Sequence, residues 1–294
     1  YAQGGVVGNS TASISGVENK GDVTFTLSGV LKNTNIGGIL GMNSDKAIII
    51  SDCINSGSVT RSNDATNVSK NSGNALGGIV GGIRGVASRV ENCVNTGELR
   101  QGIWNNNLTT NIATTTGIAG GIVGAIIGAD DSNRAEVVNC EASTSTIYGK
   151  RGFLGGIAGY AEFANVSDCR NYMSTDSNIA AYTSGIAAYM VSSTIDGCTC
   201  KATLNSTSGT PFVGGIAAFV DSASKVTGSK YYGALVSGVA TLVTGGVAAQ
   251  TVAGATISNC GFGGTIDGVA MTEAQVCGDA NGTFTDNYIW DGQE

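Results

Sequence analysis

The sequence predicts an all-β protein, a parallel β-helix (β-solenoid) of about eight coils with irregular loop insertions. Three observations predict it. A short segment returns again and again along the chain, as in "GGILGMNSDKAIIISDCINSGSVT" and "GGIVGGIRGVASRVENCVNTGELR". Its apolar residues alternate with period two and nowhere show helical spacing. The same residue types return at the same place in each recurrence. Antiparallel sandwiches rarely repeat themselves in this way, whereas a solenoid must, because each coil occupies the same environment as its neighbour.

The repeat has two halves. The first opens on a Gly-Gly or Ser-Gly pair at Gly4, Gly37, Gly77, Gly120, Gly155, Ser184, Gly214 and Gly245. Two residues after each start sits a β-branched residue: Val6, Ile39, Ile79, Ile122, Ile157, Ile186, Ile216 and Val247. In the second half a Val or Ile precedes a Cys by three, as in Ile50/Cys53, Val90/Cys93, Val137/Cys140, Val166/Cys169, Ile195/Cys198 and Ile257/Cys260; Val17 and Ser229 take the Cys place in two units. Asn follows two later at Asn19, Asn55, Asn95 and Asn171. Stacked coils turn these positions into an internal aliphatic column, a thiol column and an amide column. Each buried Ile or Val is worth about 1.5–3 kcal/mol, so the repeated sum sets the fold.

The glycine pair invites a second reading, a phosphate-cradling loop. Such a loop occurs once, between a strand and a helix. Here the pair returns eight times with no helical pattern behind it, so the glycines read as sites of close backbone approach.

Composition narrows the function classes. Only 13% of the 294 residues are charged and the net charge is −7, which argues against nucleic acid or an anionic membrane as partner. The apolar run near Gly117–Ala129 is too short and glycine-rich to span a bilayer, so no membrane insertion is expected. The chain starts at Tyr1 without Met, and its first residues already read as repeat. An export signal and an additional domain upstream of residue 1 are therefore expected. Six of the eight Cys recur at the same place in the repeat, unlike a disulfide framework, and the Cys read as buried free thiols.

The frame "GGIVG…VENCVNTGEL" resembles the GLUG-type repeat of bacterial surface and adhesin-like proteins, found also beside some bacterial immunoglobulin-cleaving proteases. The resemblance covers about residues 4 to 268 and departs in later units, where "GGIAAFVDSASKVTGSKYYG" lacks both the Cys and the Asn. It implies a right-handed parallel β-helix over 1–268, with 269–294 as a partial last coil or cap of the same domain. It also implies an exported protein at the cell surface or outside the cell, contacting a host or bacterial surface glycan or protein. It carries no catalytic site.

The residues point the same way on chemistry. There is no His, which removes the commonest general base and metal ligand. No CxxC pair suggests zinc, and no cofactor is expected. Asp130-Asp131 reads as a solvated turn, with Ca²⁺ as the alternative. Polysaccharide-active β-helix enzymes gather Asp, Lys and Arg on one face of neighbouring coils; here the acidic residues look scattered. The expectation is therefore a non-catalytic protein in adhesion or glycan contact. The alternatives are a β-helix lyase or glycosidase, or a spacer for another domain.

Two features are candidates for contact. The loops after Cys53 and Cys93 are the longest, and the second carries Trp104 beside Asn105, Asn106 and Asn107, a ring and amides suited to a sugar. The second is a column of Tyr160, Tyr189 and Phe219 in three consecutive units, which alternation places outward. The same counting places Phe153, Tyr182 and Phe212 inward. Tyr288 and Trp290 are expected to cover the open end of the last coil.

Overall fold

In the computed structural model the described residues are 1–25, 34–43, 46–61, 74–85, 87–101, 117–143, 145–149, 152–177, 182–207, 212–237 and 243–293. They form a parallel β-helix. A coil carries up to five short strands; in the third these are Ala75–Gly77, Val80–Arg84, Arg89–Glu91, Val94–Asn95 and Leu99–Gln101. Each pairs in parallel with its counterpart in the next coil, as Val90 does with Val137 and Leu99 with Ile147. Eight opening strands, from Ala2–Gly4 to Val243–Gly245, make one continuous sheet. Cys277–Asp279, Thr283–Thr285 and Tyr288–Ile289 stack beneath them as a partial ninth coil.

The aliphatic column runs down the interior as expected. The Ile79 amide donates to the Ile122 carbonyl at 2.9 Å, Ile122 to Ile157 at 3.0 Å and Ile157 to Ile186 at 3.0 Å. Ile39, Ile79, Ile122, Ile157, Ile186, Ile216 and Val247 are all fully buried. Val6, in the outermost coil, is 47% exposed.

The glycine pair is explained by what lies against it. A Cβ on Gly77 would sit 1.9 Å from the Val80 carbonyl oxygen, because the chain folds tightly back over the pair. A Cβ on Gly78 would sit 2.3 Å from the Asn95 amide carbon. The second glycine thus makes room for the amide column across the interior. That column is hydrogen-bonded from coil to coil: Asn19 Nδ2 donates to Asn55 Oδ1, and Asn55 Nδ2 to Asn95 Oδ1, each at 2.8 Å. Asn55 and Asn95 are fully buried, so these bonds offset a desolvation cost of about 1–3 kcal/mol per unpaired group. Ala142 interrupts the column, which resumes at Asn171 beside the Cys200 sulfur.

All eight cysteines are free and buried. The Cys93 amide donates to the Cys140 sulfur and the Cys140 amide to the Cys169 sulfur, both at 3.5 Å. Ser229 does the same service, accepting the Cys198 amide at 3.1 Å. Asn287 extends the column into the ninth coil by accepting the Cys260 amide at 3.0 Å.

The residue just before each member of the thiol column turns left-handed. It is Gly16, Asp52, Asn92, Asn139, Asp168, Gly197, Gly228, Asn259 or Asp286, with φ from +49° at Asn139 to +64° at Gly16. Only Gly, Asn and Asp adopt this conformation cheaply, which accounts for the repeated "NC" and "DC".

One expectation fails. Phe153, Tyr182 and Phe212 do not face inward; the inward residues are their neighbours Leu154, Thr183 and Val213. Strict alternation was carried through the glycine pair, but the chain bends there. Leu154 and Ile157, three apart, both enter the core, so the in–out count resets. At Asp130 the turn reading holds: its carboxylate accepts the Ser132 and Asn133 amides at 2.8 and 2.9 Å, and Asp131 pairs with Arg134.

Ile122→Asp should yield no cooperatively folded protein, since it sets a charge inside the column. Ile122→Val should fold and cost about 0.5–1.5 kcal/mol in urea unfolding. The thiols give a pH dependence. Burial pushes Cys200 up to about 12 and Cys260 up to about 11, from an ordinary 9.0. The folded thiols keep their protons longer than the unfolded ones. Their stability contribution is therefore complete below about pH 9 and lost as pH climbs through the folded values. The urea midpoint should fall between pH 9 and pH 11, and a Cys200→Ala/Cys260→Ala variant should flatten that fall.

Candidate ligand-contact surfaces

Trp104, Asn105, Asn106 and Asn107 lie outside the described residues. The aromatic column is described, and it is larger than expected. Tyr160, Tyr189 and Phe219 stand in register on three successive coils, and Phe153, Tyr182 and Phe212 form a second column beside them. The six rings interlock into one terrace outside the main core. Tyr189 and Phe219 stack at 4.4 Å, Tyr182 and Phe212 at 4.9 Å, and Phe153 joins the columns through Tyr189 at 4.9 Å. Such pairs add about 0.5–1.5 kcal/mol each beyond area burial.

The terrace differs from a sugar-stacking platform. Its rings lie over one another along the rod, so their faces are largely spent on each other and the surface receives edges and hydroxyls. Tyr160 is fully buried, with its hydroxyl 2.8 Å from Glu162 Oε2, so it supports the terrace from within. Burial, then the Glu162 contact, drives its phenol pKa upward. Tyr189, Phe219, Phe153, Tyr182 and Phe212 are partly exposed and form the reachable surface.

Coil stacking also assembles a polar groove of about 380 Å³. Its floor is Gly197 and Thr199; Asn139, Asp168 and Arg170 stand on one side, Lys230 and Trp290 on the other. Arg170, Thr199 and Lys230 are successive members of one outward register. Asp168 and Gly197 are successive members of the left-handed column. The coils before Gly197 carry Asn139 and Asp168 in that column, whereas Gly197 and Gly228 carry no side chain, and the groove opens over Gly197. Asp168, Arg170 and Lys230 form no ion pairs with one another or with other described residues, so their hydrogen-bonding capacity faces the opening. A second groove, around Arg89 and Arg134, is different: Arg89 is bound to Glu91 and Glu136, and Arg134 to Asp131.

Trp290 does not cover the end of the rod. It is 7% exposed and lies along the side, with the Lys201 and Lys230 ammonium groups each 5.3 Å from its ring centroid. Its indole N–H donates to the Gln293 carbonyl at 2.6 Å. Tyr288, expected to share the covering role, is 42% exposed. One carboxylate, Asp168, and two cations, Arg170 and Lys230, meet at this place. Lys230 is distant in sequence from Asp168 and Arg170, yet the three share one groove because their coils stack. The sequence signal for it is the succession of "DGC" and "TGS", two consecutive units with Gly197 and Gly228 where six coils carry Asn or Asp.

Among the described residues no three His, Cys, Asp or Glu side chains gather as a metal site, and no helix is long and apolar enough to cross a membrane. No family model and no curated protein matches the chain. Among solved structures the chain is similar to one described as "a putative immunoglobulin A1 protease from Bacteroides ovatus". The likeness has 18% identity and a TM-score of 0.48, and covers 95% of this chain and 68% of that one.

Proposed function

We propose that this chain is a non-catalytic β-solenoid of an exported bacterial protein, serving in adhesion through contact with a surface glycan or protein. The observation that carries this reading is the contrast between inside and outside. The aliphatic column is uniform from Ile39 to Val247, while the aromatic terrace is confined to three successive coils. Core packing does not need outward rings on those coils alone. A partly exposed terrace of ring edges and phenol hydroxyls suits a partner that is apolar with scattered polar groups. The resemblance of the repeat to GLUG-type surface proteins supports export and display.

A second reading, polysaccharide cleavage, is favoured by the groove, where a carboxylate and two cations from neighbouring coils converge. Against hydrolysis, Asp168 is the one carboxylate among the described residues lining it, and the usual glycosidase mechanism needs two.

Beads coated with the protein should be retained on bacterial or host cells. Tyr189→Ala and Phe219→Ala should each weaken retention by roughly tenfold. Tyr160→Phe, which alters only a buried hydroxyl, should leave it unchanged. Retention that is equal for all three variants and the parent would overturn the terrace as the contact surface.

A further inference from the structure

We infer that the groove over Gly197 and Thr199 is a binding site for an acidic saccharide, a sugar chain bearing carboxylates. The inference rests on the ligand-contact reading and gives it a second site with a defined chemistry.

Three features carry it. The first is charge. The chain has net charge −7 and only 15 Lys and Arg, yet Arg170 and Lys230 line this one groove, and Lys201, from the coil between them, reaches the same Trp290 ring. On an acidic rod a local cluster of cations selects anions. The second is preparation. The Lys201 and Lys230 ammonium groups are both drawn to the Trp290 ring at 5.3 Å, and Trp290 is itself buried. Holding a flexible Lys in place beforehand lowers the entropy lost on binding. The third is the remaining lining. Asn139, Asp168 and Thr199 offer an amide, a carboxylate and a hydroxyl. These match the neighbouring hydroxyls of a sugar ring, with Asp168 accepting from two of them. An acidic peptide would satisfy the cations, but it brings few hydroxyls and would set its carboxylates against Asp168. The groove, at about 380 Å³, falls at the small end of the roughly 300–1,000 Å³ range of ligand clefts and suits a short stretch of chain.

In the bound arrangement the sugar carboxylate lies between Arg170 and Lys230, with the ring over Gly197. Gly197 is the residue that permits this. Its backbone is left-handed, as at Asn92, Asn139 and Asn259, so Asn is tolerated there. A Cβ at Gly197 would meet only the Asp168 carboxylate, at 2.9 Å, an exposed side chain that can swing aside. Gly197→Asn therefore fills the groove without disturbing the coil.

The test is calorimetric titration of the whole chain with galacturonate, glucuronate and sialylated oligosaccharides. Their methyl esters, a neutral galactose oligosaccharide and a Glu-rich peptide serve as comparisons. At least one acidic oligosaccharide should bind saturably, and its affinity should drop by roughly tenfold or more on esterification and in Arg170→Gln or Lys230→Met. Added salt should weaken it. Gly197→Asn should abolish binding with an unchanged melting temperature. The inference is overturned if no acidic saccharide outbinds its ester or the neutral chain. It is equally overturned if Gly197→Asn binds as the parent does, or if the peptide binds more tightly than every saccharide. Failure here with Tyr189→Ala still reducing cell retention would remove the groove and leave the contact reading standing. Release of an unsaturated sugar product during the titration would support the site and overturn the non-catalytic reading.

Discussion

The structure depends on one constraint: each coil is hydrogen-bonded in parallel directly over the last, so like residues lie on like. The Ile79–Ile122–Ile157 run shows it most plainly, with amide joined to carbonyl at about 3 Å and the side chains fully buried in one column. Register is not free to drift, because a one-residue slip would turn every inward side chain outward. The columns of thiols, amides and left-handed turns follow from the same stacking. Each is a position whose local demand repeats because its neighbours repeat.

The polar interior is the unusual consequence. Buried Asn amides are tolerated because Asn19, Asn55 and Asn95 supply partners to one another and Asn171 donates to the Met173 carbonyl, while the second glycine of the pair clears the space opposite. Sequence changes in the column keep to that space: Gly121 lies against Ala142, Gly185 against the Cys200 sulfur and Gly246 against the Phe262 ring. The Ser229 and Asn287 substitutions in the thiol column preserve an acceptor for the amide one coil back. The rod thus accepts varied chemistry where hydrogen bonding and volume are kept, and its outer faces carry fewer such demands.

The two candidate surfaces arise from that freedom in different ways. The terrace is additive: rings placed on successive coils stack because the coils do, and their mutual packing covers their faces. The groove is subtractive: side chains are absent from the left-handed column at Gly197 and Gly228, and Asp168, Arg170, Lys230 and Trp290 supply the walls. A uniform ladder thereby carries a projecting apolar strip and a charged recess whose cations are not bound to carboxylates of other described residues.

The sequence by itself determined the all-β class, the coil count and which residues fill the interior columns, because a solenoid writes each environment into the chain eight times over. It also carried the outward placement of Tyr160, Tyr189 and Phe219, which lie within one strand segment. Tertiary structure alone decided what happens past the glycine bend, where Phe153, Tyr182 and Phe212 turn outward and complete the terrace. It alone decided that Tyr160 is buried while Tyr189 is reachable, since exposure depends on what the next coils place alongside. The meeting of Asp168, Arg170, Lys230 and Trp290 was likewise hidden: their separation along the chain is set by loop lengths, and only the vertical stacking of coils converts it into proximity.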